Sequence, residues 1–221
     1  YRATYKRVMD KNRVFYKKFP KAKLNAKKIA DYLDQNTVHL PNGDLLSVKR
    51  FQQLGLNLGF SDGMAILNYL FERAFINGSV SNFFLKQLFI LQTFDTNPLF
   101  TIIHEACYAQ GFATEWSAYR IIKEYPDFIY KKSDCFYFTG EMLYPWMLDE
   151  YSSLRPFKNA ANVLANKKDW PHLYSEERLR KNQVPIAAAV YTNDMYVDRD
   201  FSISLAEIIP NMSIWETKLL E

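Results

Sequence analysis

Gly59-Phe60-Ser61-Asp62-Gly63 spells G-x-S-x-G, the pattern in which a serine on a strained strand-to-helix turn attacks an acyl carbon. That chemistry needs an imidazole to take the hydroxyl proton and an acid to orient the imidazole. The three histidines, His39, His104 and His172, all precede Asp194, the acid at the end of a strand-like run. In the fold that uses this turn, the histidine comes last. The residues before Gly59 also carry helical periodicity and no β-branched run. Ser61 is therefore expected to cap a helix beginning near Asp62, its hydroxyl close to a backbone amide two or three residues on. Cys107 and Cys135 lack metal-ligand spacing and read as buried, reduced thiols of a cytoplasmic protein. No zinc pattern, phosphate loop or RNA-binding signature is present, so neither metal nor cofactor is expected.

The elements that must position any site are mostly helical. Tyr1, Tyr5, Val8, Phe15 and Phe19 form one stripe, interrupted where Asn12 sits, and Pro20 closes it. A second helix carries Ala26, Ile29, Ala30 and Leu33, and Leu40-Pro41-Asn42-Gly43-Asp44 is a turn. Further stripes are Val48/Phe51/Leu54/Leu58, Leu67/Leu70/Phe71/Ala74 and Phe84/Leu88/Leu91. Asn97-Pro98 opens a helix whose expected buried face is Leu99, Ile102, Ile103 and Ala106, with Gly111 as its carboxyl-terminal cap. Helices are also expected over 113–124 and 153–167. After Asn182 the character changes. Val184 to Tyr191 is a short apolar run ending in Thr192-Asn193-Asp194, Phe201 to Ile209 is helical, and Ile214 to Leu219 alternates. Strand, acidic turn, helix, strand is an α/β element with parallel strands.

Composition agrees. Of 221 residues 48% are hydrophobic and 16% aromatic, enough for a sizeable core, and only 7 are glycine, too few for a turn-rich sheet protein. No apolar run approaches the roughly 18 residues that span a bilayer. The net charge of +4 is uneven: residues 1–50 hold 13 Lys/Arg against 4 Asp/Glu, and the rest is acidic. Such a basic run is ordinarily a solvated helix face. The rival reading is a helical module that binds nucleic acid or an anionic membrane, whose affinity would fall steeply with salt.

Four stretches resemble the larger-cap branch of the proline iminopeptidases, which are α/β-hydrolases. They are Phe94-Asp95-Thr96-Asn97-Pro98-Leu99, His104-Glu105-Ala106-Cys107-Tyr108, Phe138 through Trp146, and Ala189 through Asp198. The resemblance covers essentially the whole chain. It implies an α/β fold in which residues 1–182 are a mainly helical cap and residues 183–221 are the carboxyl-terminal strand-helix-strand part of the hydrolase sheet. The implied activity is release of amino-terminal proline from small peptides through an acyl-enzyme, with no nucleic-acid or membrane partner. The true nucleophile would then lie before Tyr1 and the histidine loop after Glu221.

The resemblance also implies roles for particular residues. Asp194 matches the triad acid, with Asp198 and Asp200 as rivals. Glu141 matches a glutamate that binds the substrate's ammonium, although a carboxylate favoured by a helix dipole would look the same. Tyr144 and Trp146 are expected to wall a proline pocket. Glu105, at the border of its helix's apolar face, is expected at the cleft edge.

Overall fold

A computed structural model describes residues 1–218 except Thr93 and Lys132. Helices α1 (Arg2–Lys18) and α2 (Pro20–Gln35) open the chain. Proline at the first position of α2 starts a new helix after Phe19, where its missing amide hydrogen costs nothing. The stripe of α1 is buried as its spacing requires, and Asn12 is fully buried with it. The gap in the stripe is a tether: Asn12 donates to the Val8 and Phe138 carbonyls and accepts from the Phe138 amide, each at 2.8 Å.

α3 (Val48–Gln52) continues into a 3-10 helix, Gln53–Gly59. The stripe expected there is buried, with Phe51, Leu54 and Leu58 in the core and Val48 packed against it, but the helix tightens where Gly55 meets residues 138–139; a Cβ on Gly55 would lie 2.0 Å from the Thr139 carbonyl oxygen. α4 (Gly63–Glu72), the short hairpin β1 (Phe75–Ile76) and β2 (Ser79–Val80), and α5 (Asn82–Gln92) follow. Phe15, Phe51, Phe71, Phe84, Phe136 and Phe138 fill the centre, with Phe51 and Phe138 ring centroids 5.3 Å apart and Phe71 and Phe138 stacked at 5.4 Å.

α6 (Pro98–Ile103) is shorter than the helix expected from Asn97, and Glu105–Tyr108 is 3-10. Its buried side is also rotated from expectation. Thr101, His104 and Glu105 are buried, whereas Leu99 is 60% and Ile103 47% exposed. The packed partner of α6 is α9 (Lys158–Ala165), reached after α7 (Ser117–Ile121) and α8 (Met147–Glu150). Asn97 makes no side-chain cap, and Gly111, at φ 75°, lies beyond the turn at Ala109 that ends the 3-10 segment. Cys107 is exposed, against expectation, because it falls on that same outer side; Cys135 is half-buried, and both thiols are free.

After α10 (Glu176–Arg180), β3 (Ile186–Tyr191), α11 (Arg199–Ile208) and β4 (Met212–Thr217) form the expected strand-helix-strand unit. The strands are parallel, pairing Ile186 with Met212 through Tyr191 with Thr217. Leu219, the expected end of the last strand, lies outside the described residues. The protein thus combines a large helical portion with small sheets, as part of an α/β fold does. No described helix is long and apolar enough to cross a membrane.

Candidate functional site

Residues 136–144 run through the core without regular structure, so their backbone groups must find partners outside any helix or ladder. Side chains provide many of them. Asn12 clamps Phe138, the Tyr16 hydroxyl donates to the Phe136 carbonyl, and Gln52 Nε2 donates to the Tyr137 and Phe128 carbonyls at 2.7 Å. The Thr139 amide donates to the Gln52 carbonyl at 3.0 Å, and Gln53 Nε2 to that of Met142 at 3.2 Å. This braced segment carries Glu141, half-buried on the wall of a cavity of about 270 Å³. Leu56, Leu91, Phe94, Phe100 and Tyr151 supply much of the apolar lining.

Asp194 arrives from the other side, in the turn three residues beyond β3. Its Oδ1 accepts from the amides of Tyr196 (2.7 Å) and Val197 (3.0 Å), which folds the turn back on itself. Met195 is buried in the main core, and the Tyr196 hydroxyl donates to the Leu56 carbonyl. Gly59 and Gly140 leave room for this docking: a Cβ on Gly59 would meet the Tyr196 hydroxyl at 2.3 Å, and one on Gly140 would sit 2.6 Å from Val8 and 3.1 Å from Met195. Asp198 caps α11 through the Phe201 amide (2.9 Å) and pairs with Arg7 at 2.5 Å. Burial pushes the Asp198 carboxyl up, but the Phe201 amide and Arg7 outweigh it and hold the group below its usual range. Asp200 is exposed and pairs with Arg199.

Glu141 feels both its burial and the charge of Asp194. Burial raises the pKa of Glu141, and the charge of Asp194 raises it further. Burial likewise raises the Tyr196 hydroxyl, with added contributions from Glu141 and Asp194. Glu105, Tyr108, Glu141 and Tyr144 all bear on the buried hydroxyl of Tyr1, whose pKa is raised by burial first. The sequence-selected residues have different surroundings. Glu105 is 8% exposed and spends both oxygens on the first turn of α7, accepting from Ser117 N (2.8 Å) and Ala118 N (2.9 Å). Tyr144 is 2% exposed, shares a 2.9 Å hydrogen bond with Tyr5 and stacks on Trp146 at 5.8 Å; neither ring lines the cavity beside Glu141. The aromatic walls there are Phe94, Phe100 and Tyr151, of which Phe94 begins one of the stretches that carry the resemblance. His104 is buried among aromatic rings, and burial pushes its pKa down to about 4, so it is neutral at neutral pH.

Ser61 does not occupy an elbow. It follows a 3-10 helix and a bend, not a strand, and lines a separate recess with Arg7, Lys11, Phe60 and Asn193, among whose lining residues there is no histidine. Nor is it the cap expected from the sequence. α4 starts at Gly63, pressed against the Asn57 carbonyl; Asp62 holds the cap position without a side-chain hydrogen bond. Among the basic residues of 1–50, Arg2, Arg7, Arg13, Lys27, Lys49 and Arg50 are engaged in ion pairs.

The chain is 44% identical over all of its 221 residues to a protein named proline iminopeptidase from Aeromonas sobria, of which it covers 52%. The chain is thus similar over its whole length to part of a proline iminopeptidase. It is also 32% identical over 206 residues, 91% of its length, to a proline iminopeptidase named aneH from Aspergillus aculeatus, of which it covers 46%. The chain thus spans about half the length of the curated proline iminopeptidases it matches. No protein-family model matches the sequence.

Proposed function

We propose that this chain supplies the lid, the substrate-recognition residues and the triad acid of a serine aminopeptidase that releases amino-terminal proline from peptides. Residues 1–182 serve as the cap and 183–221 as the end of the hydrolase sheet. The observation that carries the reading is the docking of the turn that holds Asp194, at the end of a parallel strand, against the segment that holds Glu141: Met195 packs at Gly140, and Tyr196 donates to Leu56, which lines the aromatic-walled cavity with half-buried Glu141. A crevice beyond the carboxyl ends of parallel strands is where such folds bind ligands.

Each carboxylate has its own task. Asp194 holds the catalytic imidazole in the right tautomer and stabilises the imidazolium that forms when the serine loses its proton. Its Oδ1 is fixed by two backbone amides, so the carboxylate keeps a set direction. Glu141 holds the substrate's terminal ammonium, and burial strengthens that pairing by keeping water away. Phe94, Phe100 and Tyr151 enclose the pyrrolidine ring. Glu105 contributes by fixing α7 against the site, and Tyr144 and Trp146 by backing the segment that carries Glu141.

In the natural protein that contains this chain, Asp194→Asn is expected to lower kcat on prolyl p-nitroanilide by about 10,000-fold, with little change in KM. Asp198→Asn, which weakens the pair with Arg7 and the α11 cap, should instead lower thermal stability. Near-normal turnover in Asp194→Asn beside a lost turnover in Asp198→Asn would reverse the assignment.

A further inference from the structure

The motif Gly59-Phe60-Ser61-Asp62-Gly63 is left without a task once its serine is not in an elbow. Its first glycine ends the 3-10 helix Gln53–Gly59, and at three residues per turn that helix sets Gln53, Leu56 and Gly59 along one edge. Tyr196 packs on this edge. Its hydroxyl donates to the Leu56 carbonyl, and a Cβ on Gly59 would come within 2.3 Å of that hydroxyl and 2.4 Å of the ring. The Phe60 ring stands beside it, with centroids 6.0 Å apart. At its other end Tyr196 touches the carboxylate, because its backbone amide donates to Asp194 Oδ1 at 2.7 Å. One residue thus joins Asp194 to the helical portion.

We infer that Tyr196 is a positioning residue for the triad acid, seated on Leu56 and Gly59 so that Asp194 meets the catalytic imidazole in the right direction. The inference rests on the reading of Asp194 as that acid. The amides of Tyr196 and Val197 fix the carboxylate within its turn but do not decide where the turn sits. Met195 buries the turn against the core, a contact without direction. The hydroxyl bond to Leu56 supplies the direction, and glycine at 59 leaves the ring room to make it. Burial first, then the charges of Glu141 and Asp194, raise the Tyr196 pKa, so the hydroxyl stays a donor at neutral pH. Proton transfer tolerates little displacement of the groups that align it.

The test uses prolyl p-nitroanilide and the natural protein that contains this chain. Tyr196→Phe removes the donor and keeps the ring; it should lower kcat by about 10- to 100-fold and change KM by less than about 2-fold. The acid limb of the pH–kcat profile should move to lower pH, since a displaced carboxylate stabilises the imidazolium less and lowers the imidazole's pKa. In an Asp194→Asn background the same substitution should cost less than about 2-fold, because it acts through a carboxylate already removed. Should Tyr196→Phe fail to fold, Gly59→Ala, which pushes the ring off its seat, carries the same expectations. An unmoved kcat and pH profile, or an equal loss with and without Asp194, would overturn the proposal and leave Tyr196 a structural brace. Failure of the acid reading shows separately: Asp194→Asn alone would keep near-normal turnover, and this inference would fall with it.

Discussion

Glu141 stands on irregular chain inside the core, its segment tied by Asn12, Tyr16, Gln52 and Gln53. Asp194 stands at the end of a regular strand whose unit is far less covered: Val184 is 65%, Trp215 56% and Phe201 77% exposed. The first carboxylate is placed by tertiary packing around an extended loop. The second is placed by strand geometry, and its unit is fastened to the helices through Met195, Tyr196 and the Arg7–Asp198 pair. A site assembled this way should respond differently to damage on its two sides.

The largest effect on folding is expected at Asn12. Replacement by Leu removes three hydrogen bonds and leaves the amide and carbonyl of Phe138 buried without partners, at a cost on the order of 3 kcal/mol. Denaturant midpoints should show that loss, whereas Phe201→Ser on the exposed face of α11 should stay within about 0.5 kcal/mol of the parent protein. Comparable effects at both positions would end the contrast between a braced segment and a loosely covered one.

The fastening of the acid's unit has a pH signature. The Asp198 carboxyl is held below its ordinary value of 3.8, so its contribution is fully present above that pH and is lost as pH falls through the lower, folded value. Arg7→Ala should therefore flatten the acid limb of the stability curve below about pH 4. Glu141 has the opposite sign. Its carboxyl is raised above the ordinary 4.5, so ionising it costs stability as pH rises through that region. Glu141→Gln should stabilise the fold slightly near neutral pH, by less than about 1 kcal/mol, which is the direction expected when a group is kept for function. A destabilised Glu141→Gln protein would place the residue among the structural braces.

The same contrast governs what was legible in the sequence. The α1 and α2 faces follow from a period of 3.6, β4 from alternation, and β3 with the turn holding Asp194 from a short apolar run closed by polar turn residues. Residues 136–144 have no period to read, because their partners lie more than 80 residues away. The cavity has no local signal for the same reason: Phe94, Phe100 and Tyr151 converge from distant parts of the chain, whereas Tyr144 and Trp146 lie close to Glu141 in sequence. Asn12 announced itself as a polar gap in an apolar stripe, a signal that a buried amide has a distant backbone to hold. The α6 face differs from expectation because local apolar spacing does not decide which side α9 covers.

The central claim is that Glu141 reads a positive charge. The most direct measurement compares prolyl p-nitroanilide with its cyclopentanecarbonyl analogue, in which carbon replaces the ring nitrogen, on wild-type and Glu141→Gln protein. A charge-assisted contact contributes about 1.5–3 kcal/mol, so kcat/KM for the prolyl substrate should fall roughly 10- to 150-fold while the uncharged analogue is nearly unaffected. Equal losses on the two substrates would contradict the account and leave Glu141 as a residue that merely holds its segment in place.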